Sequence, residues 1–182
     1  KEVEKNYKEA IVIATEIDKN HPKRIKYICE LAKLYLELGE IYRASNTLKE
    51  SDLTIRKTLK SINSESFRDP NQYENYYWII ESSLLRANLL MKDAFLNEAE
   101  AFINQSVLPI MNALLYSDDF LHYKAYELLG LIYEKKGNLN KSRENYYKAI
   151  DIIEGSYEKD KSDLSNEIIN LKNNLANLYI IY

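Results

Sequence analysis

Cysteine is nearly absent. Cys29 is the one thiol in 182 residues, which excludes an intramolecular disulfide and favours a reducing compartment, so a cytoplasmic location is expected. Histidine is almost as scarce: His21 and His122 stand alone, neither at metal-ligand or triad spacing from Cys29 or a carboxylate. No metal site and no nucleophile–base pair is read from them. With only 4 Gly and 3 Pro, the chain has too little punctuation for a β-rich fold, which leaves helices. No stretch approaches the roughly 18 uninterrupted apolar residues of a membrane span, and none reads as a signal peptide. A glycine-rich phosphate loop and a Gly-x-Ser-x-Gly elbow are both missing. Asp118 and Asp119, the adjacent acids that invite an acid–base reading, suit the first turn of a helix starting near Ser117. The expectation is a non-enzyme with no catalytic residue, metal or cofactor.

Excess charge of either sign is lacking too. The formal net charge is −3. Residues 1–61 carry 13 Lys+Arg against 10 Asp+Glu and the remainder 12 against 18, a mild polarity of +3 and −6. Lys23, Arg24 and Lys26 cluster at a helix start, but Glu30, Glu37 and Glu40 follow them. No basic stripe interleaved with stacking rings exists, so neither nucleic acid nor an anionic membrane is an expected partner.

What is present is repetition. Leu31-Ala32-x-x-Tyr35 is followed by Ala44, Leu48 and Ser51, which lie 12, 16 and 19 residues beyond Ala32. Leu129-Gly130-x-x-Tyr133 repeats the pattern with Ser142, Tyr146 and Ala149 at the same offsets. A more worn copy is Ala87-x-x-Leu90 with Ala99, Ile103 and Ser106. Leu175-Ala176-x-x-Tyr179 opens a fourth copy, and Ala10 with Pro22 reads as the second half of an earlier one. The physical sense is helix packing. Two antiparallel helices approach to about 8–10 Å only where small residues meet at the crossing, as Ala32 with Ala44 and Gly130 with Ser142 would. Leu48 and Tyr146, one turn further on, are expected to fill the space between neighbouring repeats. Gly39 and Gly137 fall where a left-handed residue ends the first helix, and Asn138-Leu139-Asn140 offers caps for the second.

These residues resemble the tetratricopeptide family over nearly the whole chain. The repeat spacings depart from the family's usual 34, with Ala44 to Ala99 at 55 and Ala99 to Ser142 at 43. Leu171-Lys-Asn-Asn-Leu-Ala-Asn-Leu-Tyr179 resembles the kinesin-light-chain-like subtype, whose repeats are also longer. The resemblance implies an all-α, right-handed superhelical solenoid of antiparallel helix pairs. It divides one domain, 1–182, into a half repeat 1–22, a repeat 23–61, a degenerate repeat 71–116, a repeat 118–154 and a half repeat 163–182. A chain opening and closing in half repeats is expected to be a fragment of something longer.

Helices are expected at 2–18, 23–38, 41–61, 71–92, 95–116, 118–136, 139–154 and 163–181. Residues 64–70 read as the main loop, Pro109 as a kink or break, and Gly155 as the start of the last connection. In the aromatic run Tyr73, Tyr76, Tyr77 and Trp78, the stripe Tyr73, Tyr77 and Ile80 is expected to pack on the preceding helix. The resemblance further implies that the first helix of each pair lines a concave groove. Registered on the motif, its rows are Lys26, Cys29, Lys33 and Leu36; Glu81, Leu84, Asn88 and Met91; Lys124, Glu127, Leu131 and Glu134; and Asn170, Asn173, Asn177 and Ile180. Lys33, Asn88, Glu127, Asn173 and Asn177 are the candidate peptide-binding residues, since asparagine both donates to and accepts from an extended main chain. The partner expected is a protein or peptide, and self-association through the incomplete end repeats is open. The alternative is a regulatory segment whose catalytic or DNA-binding domain lies outside this chain.

Overall fold

A computed structural model describes residues 24–37, 44, 46–48, 73–113, 119–160 and 165–180. Among these every element is helical: α1 (Arg24–Glu37), α2 (Tyr73–Lys92), α3 (Leu96–Phe102), a π turn (Ile103–Val107), α4 (Leu108–Ala113), α5 (Asp119–Lys135), α6 (Leu139–Asp160) and α7 (Ser165–Ile180). No described helix is long and apolar enough to cross a membrane. The chain divides into two compact units, Lys1–Leu89 and Leu90–Tyr182, the division falling within α2. The expected helix at 2–18, most of that at 41–61, the loop at 64–70, and the expectations for His21, Pro22 and Gly39 lie outside the described residues.

In the first unit the small residues of the motif do what the spacing predicts. Ala32 and Ala44 are fully buried in one cluster with Ile28, Leu31, Tyr35, Leu48 and Leu89. The aromatic run differs from expectation. Tyr76, Ile79 and Ile80 are buried, while Tyr77 and Trp78 are half-buried and meet edge to face. Of the expected stripe Ile80 is buried and Tyr77 only half-buried, while the side chain of Tyr73 lies outside the described ones; Tyr76 and Ile79 join Ile80 in the core. The buried side continues through Ser83, whose hydroxyl donates to the Ile79 carbonyl at 2.7 Å and so enters the core satisfied.

The second unit is built on the α5–α6 hairpin. Gly130 is buried because its neighbour is an aromatic ring: a Cβ there would lie 2.7 Å from Cδ1 and Cε1 of Tyr146. Ser142 donates its hydroxyl to the Gly130 carbonyl at 2.9 Å, and the Tyr146 hydroxyl donates to Glu134 at 3.0 Å. Tyr146 therefore fills the crossing of its own pair and, as expected, also joins the buried cluster that includes Leu171 and Leu178 of α7. Gly alone lets the ring lie flat on the backbone. At the far end Ser156 donates to Asp119 at 2.7 Å, fixing the antiparallel arrangement. Helix α6 does not stop at Gly155 but runs on to Asp160. An interior glycine costs about 1 kcal/mol in propensity, which the buried Ile153 just before it offsets. Helix α7 packs antiparallel on α6, its Leu171 and Leu178 buried with Ile150 and Ile153 and its Lys172 paired with Glu154 at 2.7 Å.

Two tight turns share one design. Before α6, Gly137 adopts φ 73°, with hydrogen bonds from Gly137 N–H to the Glu134 carbonyl and from Asn138 N–H to that of Tyr133. After α2, Ala94 adopts φ 65°, and its N–H and that of Phe95 donate to Met91 and Leu90. Both are Schellman stops, one with alanine in the left-handed position that glycine fills more cheaply. Asn138 caps α6, its side-chain oxygen accepting from Lys141 N–H at 3.2 Å.

Pro109 neither breaks nor kinks the helix alone. The π turn precedes it, closed by Leu108 N–H donating to the Ile103 carbonyl. Along this stretch Ala99, Ile103, Val107 and Met111 are buried, every fourth residue. In an unbroken α-helix such a row would rotate by about 40° per step away from one face. The wider turn cancels that drift, so Val107 replaces Ser106, the residue the motif places in the core.

Candidate functional site

The structure distributes the five candidates between the two units: Lys33 and Asn88 in the first, Glu127, Asn173 and Asn177 in the second.

In the first unit Lys33 is already engaged. Its ammonium donates to Glu81 at 2.9 Å and to Glu30 at 3.4 Å. It also lies 5.6 Å above the Trp78 ring, with Lys26 5.2 Å from the same ring. Burial alone would lower the Lys33 pKa, but the Glu81 hydrogen bond and the charges of Glu81 and Glu30 outweigh it and raise it. Glu81, Leu84 and Met91, which the motif registers toward a groove, are buried, and Asn88 is half-buried. Cys29 is fully buried as well. Its thiol donates to the Trp78 carbonyl at 3.6 Å, and burial pushes its pKa up to about 12, so the nucleophilic thiolate is suppressed. Cys29, Lys33 and Glu81 of this row are therefore part of the packing between α1 and α2.

The second unit keeps its row more open. Asn173 and Asn177, four residues apart on one side of α7, are exposed, as is Asn170. Neither Asn173 nor Asn177 makes a side-chain hydrogen bond among the described residues. Glu127 on α5 is half-buried; burial raises its pKa, Lys124 opposes this, and the charge of Glu167 on α7 adds to it. Glu134 on α5 accepts from Tyr146 of α6, and the exposed side of α7 is rich in amide groups. Chemically it can accept hydrogen bonds from donors and pair both edges of a peptide group. It holds no nucleophile. Among the described residues no group of His, Cys, Asp and Glu is disposed to hold a metal ion.

The sequence did not point to two further features. Glu100 on α3 accepts from the Tyr133 hydroxyl at 2.6 Å and forms an ion pair with Lys136, which also donates to Asn97 at 2.7 Å. Burial alone would raise the Glu100 pKa, but the bonds from Lys136 and Tyr133 prevail and hold it below its usual range. Nothing in the local sequence marks this clamp, because its members lie 33 and 36 residues apart. The other is an exposed apolar patch on α7, with Ile169 at 53 %, Tyr179 at 55 % and Ile180 at 80 % exposure. Here the signal was available. Ala176 and Tyr179 repeat Gly130 and Tyr133, yet the latter pair is buried and the former exposed.

No family model matches this chain, and no curated protein or solved structure does.

Proposed function

We propose that this chain is a tetratricopeptide-like interaction scaffold whose helix pairs continue as a right-handed superhelix and whose concave groove binds a peptide or helical segment of another protein. Three features support the fold part of the reading: the α5–α6 hairpin closed at Gly130 and Ser142, the recurrence of the same stop at Ala94 and Gly137, and the successive packing of α3, α5, α6 and α7. The observation that carries the binding reading is the open amide row of α7, Asn173 and Asn177, together with the half-buried carboxylate of Glu127, which feels the charge of Glu167 on the same helix α7. A half-buried acid that burial disfavours gains most from a donor supplied by a ligand. Lys33, committed to Glu81, contributes to the scaffold and not to the contact.

The test begins with the chain as bait in affinity capture, followed by calorimetric titration of the captured protein's binding segment. Each bond from an asparagine to a neutral main-chain group is worth roughly 0.5–1.5 kcal/mol. The double variant Asn173→Ala/Asn177→Ala therefore weakens binding by about 5- to 150-fold if the effects add. Unchanged affinity with intact helicity refutes the placement of the site.

A further inference from the structure

The face of α7 that turns away from α6 carries a pattern of its own. Leu171 and Leu178 point into the core, and on the opposite side lie Ile169, Asn173, Ala176 and Ile180, all exposed. Their spacing of 4, 3 and 4 is that of a coiled-coil seam, in which such residues form one stripe along the helix. The stripe is also self-complementary. Laid antiparallel on a copy of itself and centred between Asn174 and Leu175, it sets Ile169 opposite Ile180 of the copy and Asn173 opposite Ala176. A two-fold contact requires this property, because each residue must suit its own symmetry mate's neighbourhood.

Charge agrees with geometry. In a two-fold contact every fixed charge meets its duplicate, so a charged face repels itself. The whole chain is 29 % charged, yet Lys172 is the one charge among the exposed residues of α7, and Glu154 neutralises it at 2.7 Å. Tyr179 flanks the seam, its ring under Arg143 at 5.3 Å and its hydroxyl hydrogen-bonded to that of Tyr147 at 3.2 Å, and adds apolar area.

We propose that α7 is a self-association face: two copies of this chain pair their α7 helices antiparallel through Ile169, Asn173, Ala176 and Ile180. A helix of 16 residues is about 24 Å long, so the contact covers on the order of 1,000 Å², the lower end of specific interfaces. The dimer is accordingly weak and reversible, with a dissociation constant on the order of micromolar to tens of micromolar. The inference goes beyond the groove reading and does not rest on it.

Sedimentation over a concentration series from about 1 µM to 1 mM decides it. The wild-type chain should move from monomer to dimer and no further. In Ile169→Lys/Ile180→Lys every apolar layer becomes a like-charge pair, and dimerisation should weaken at least about tenfold. In Ile169→Lys/Ile180→Glu the antiparallel register matches each Lys with a Glu of the copy, so the dimer should persist. Both substitutions are at exposed positions, and circular dichroism checks that helicity is kept. A wild-type chain that stays monomeric overturns the proposal. So does a Lys/Lys variant that dimerises like wild type, or a Lys/Glu variant as weak as Lys/Lys. Species growing past the dimer overturn it as well.

Discussion

Gly130→Ala adds one carbon at the most crowded crossing described. That carbon would meet Tyr146 Cδ1 and Cε1 at 2.7 Å and Cζ at 3.0 Å, distances real side chains do not sustain. The ring cannot retreat cheaply, because it is fully buried and its hydroxyl is bonded to Glu134 at 3.0 Å. Overpacking of this kind costs about 1–3 kcal/mol. Against it stands a gain of about 0.8–1 kcal/mol from replacing glycine by alanine inside a helix. The net expectation is a loss near 1 kcal/mol, which for a chain of this size lowers the melting midpoint by about 2–4 °C. Gly130→Leu should lose at least about 3 kcal/mol, since its further carbons have nowhere to go. A cycle with Tyr146→Leu separates the terms: without the ring, Gly130→Ala should become stabilising. Thermal unfolding by circular dichroism at 222 nm is the assay. If Gly130→Ala alone raises the midpoint by the full propensity gain, the ring does not occupy the crossing and the account of α5–α6 is wrong.

The paired turns make opposite predictions: Ala94→Gly should stabilise by about 0.5–1 kcal/mol by relieving a left-handed alanine, and Gly137→Ala should destabilise by about 1 kcal/mol, both read by urea denaturation. Alkali should weaken the fold. Burial raises the Cys29 thiol from 9.0 to about 12, burial and Glu100 raise Tyr133 from 10.0 to about 12, and burial and Glu134 raise Tyr146 further. Between these limits the unfolded chain gives up protons that the folded chain holds, so the urea midpoint should fall steadily as pH rises above 9 and stay free of this slope below it. Glu127→Gln should raise the melting temperature at neutral pH, because it removes a carboxylate whose charge burial disfavours. In the wild type that penalty should fade as pH drops through the raised pKa toward its ordinary 4.5.

Much of the helical frame was legible because it depends on short-range pattern. Ala32, Ala44, Gly130 and Ser142 are small residues at fixed offsets, and Gly137 with Asn138 is a stop and a cap written in adjacent letters. The same logic extends to Ala94, which lies seven residues after Ala87 just as Gly137 follows Gly130. The sequence leaves this turn unmarked because alanine does not advertise a left-handed conformation. The candidate site was less legible. Registering Glu81, Leu84 and Met91 by spacing gives their angular position but not what lies opposite: all three are buried, Glu81 against Lys33 of α1. The pairing of Lys33 with Glu81 spans 48 residues, beyond any helical period. In the second unit Asn173 and Asn177 stay open because α7 has α6 on one side and no described helix on the other.

The π turn ahead of Pro109 has a consequence for insertions and deletions. Its core row, Ala99, Ile103, Val107 and Met111, is one residue too long for an α-helical stripe. Removing the exposed Gln105 would leave the spacing 4, 3, 4, which a plain α-helix satisfies with the same side chains inward. In a straight helix the loss of one residue turns everything downstream by about 100° and exposes half a core. Here it would merely regularise the backbone. The segment between Ala99 and Met111 is thus a place where this chain's length can change by one residue while its buried contacts survive.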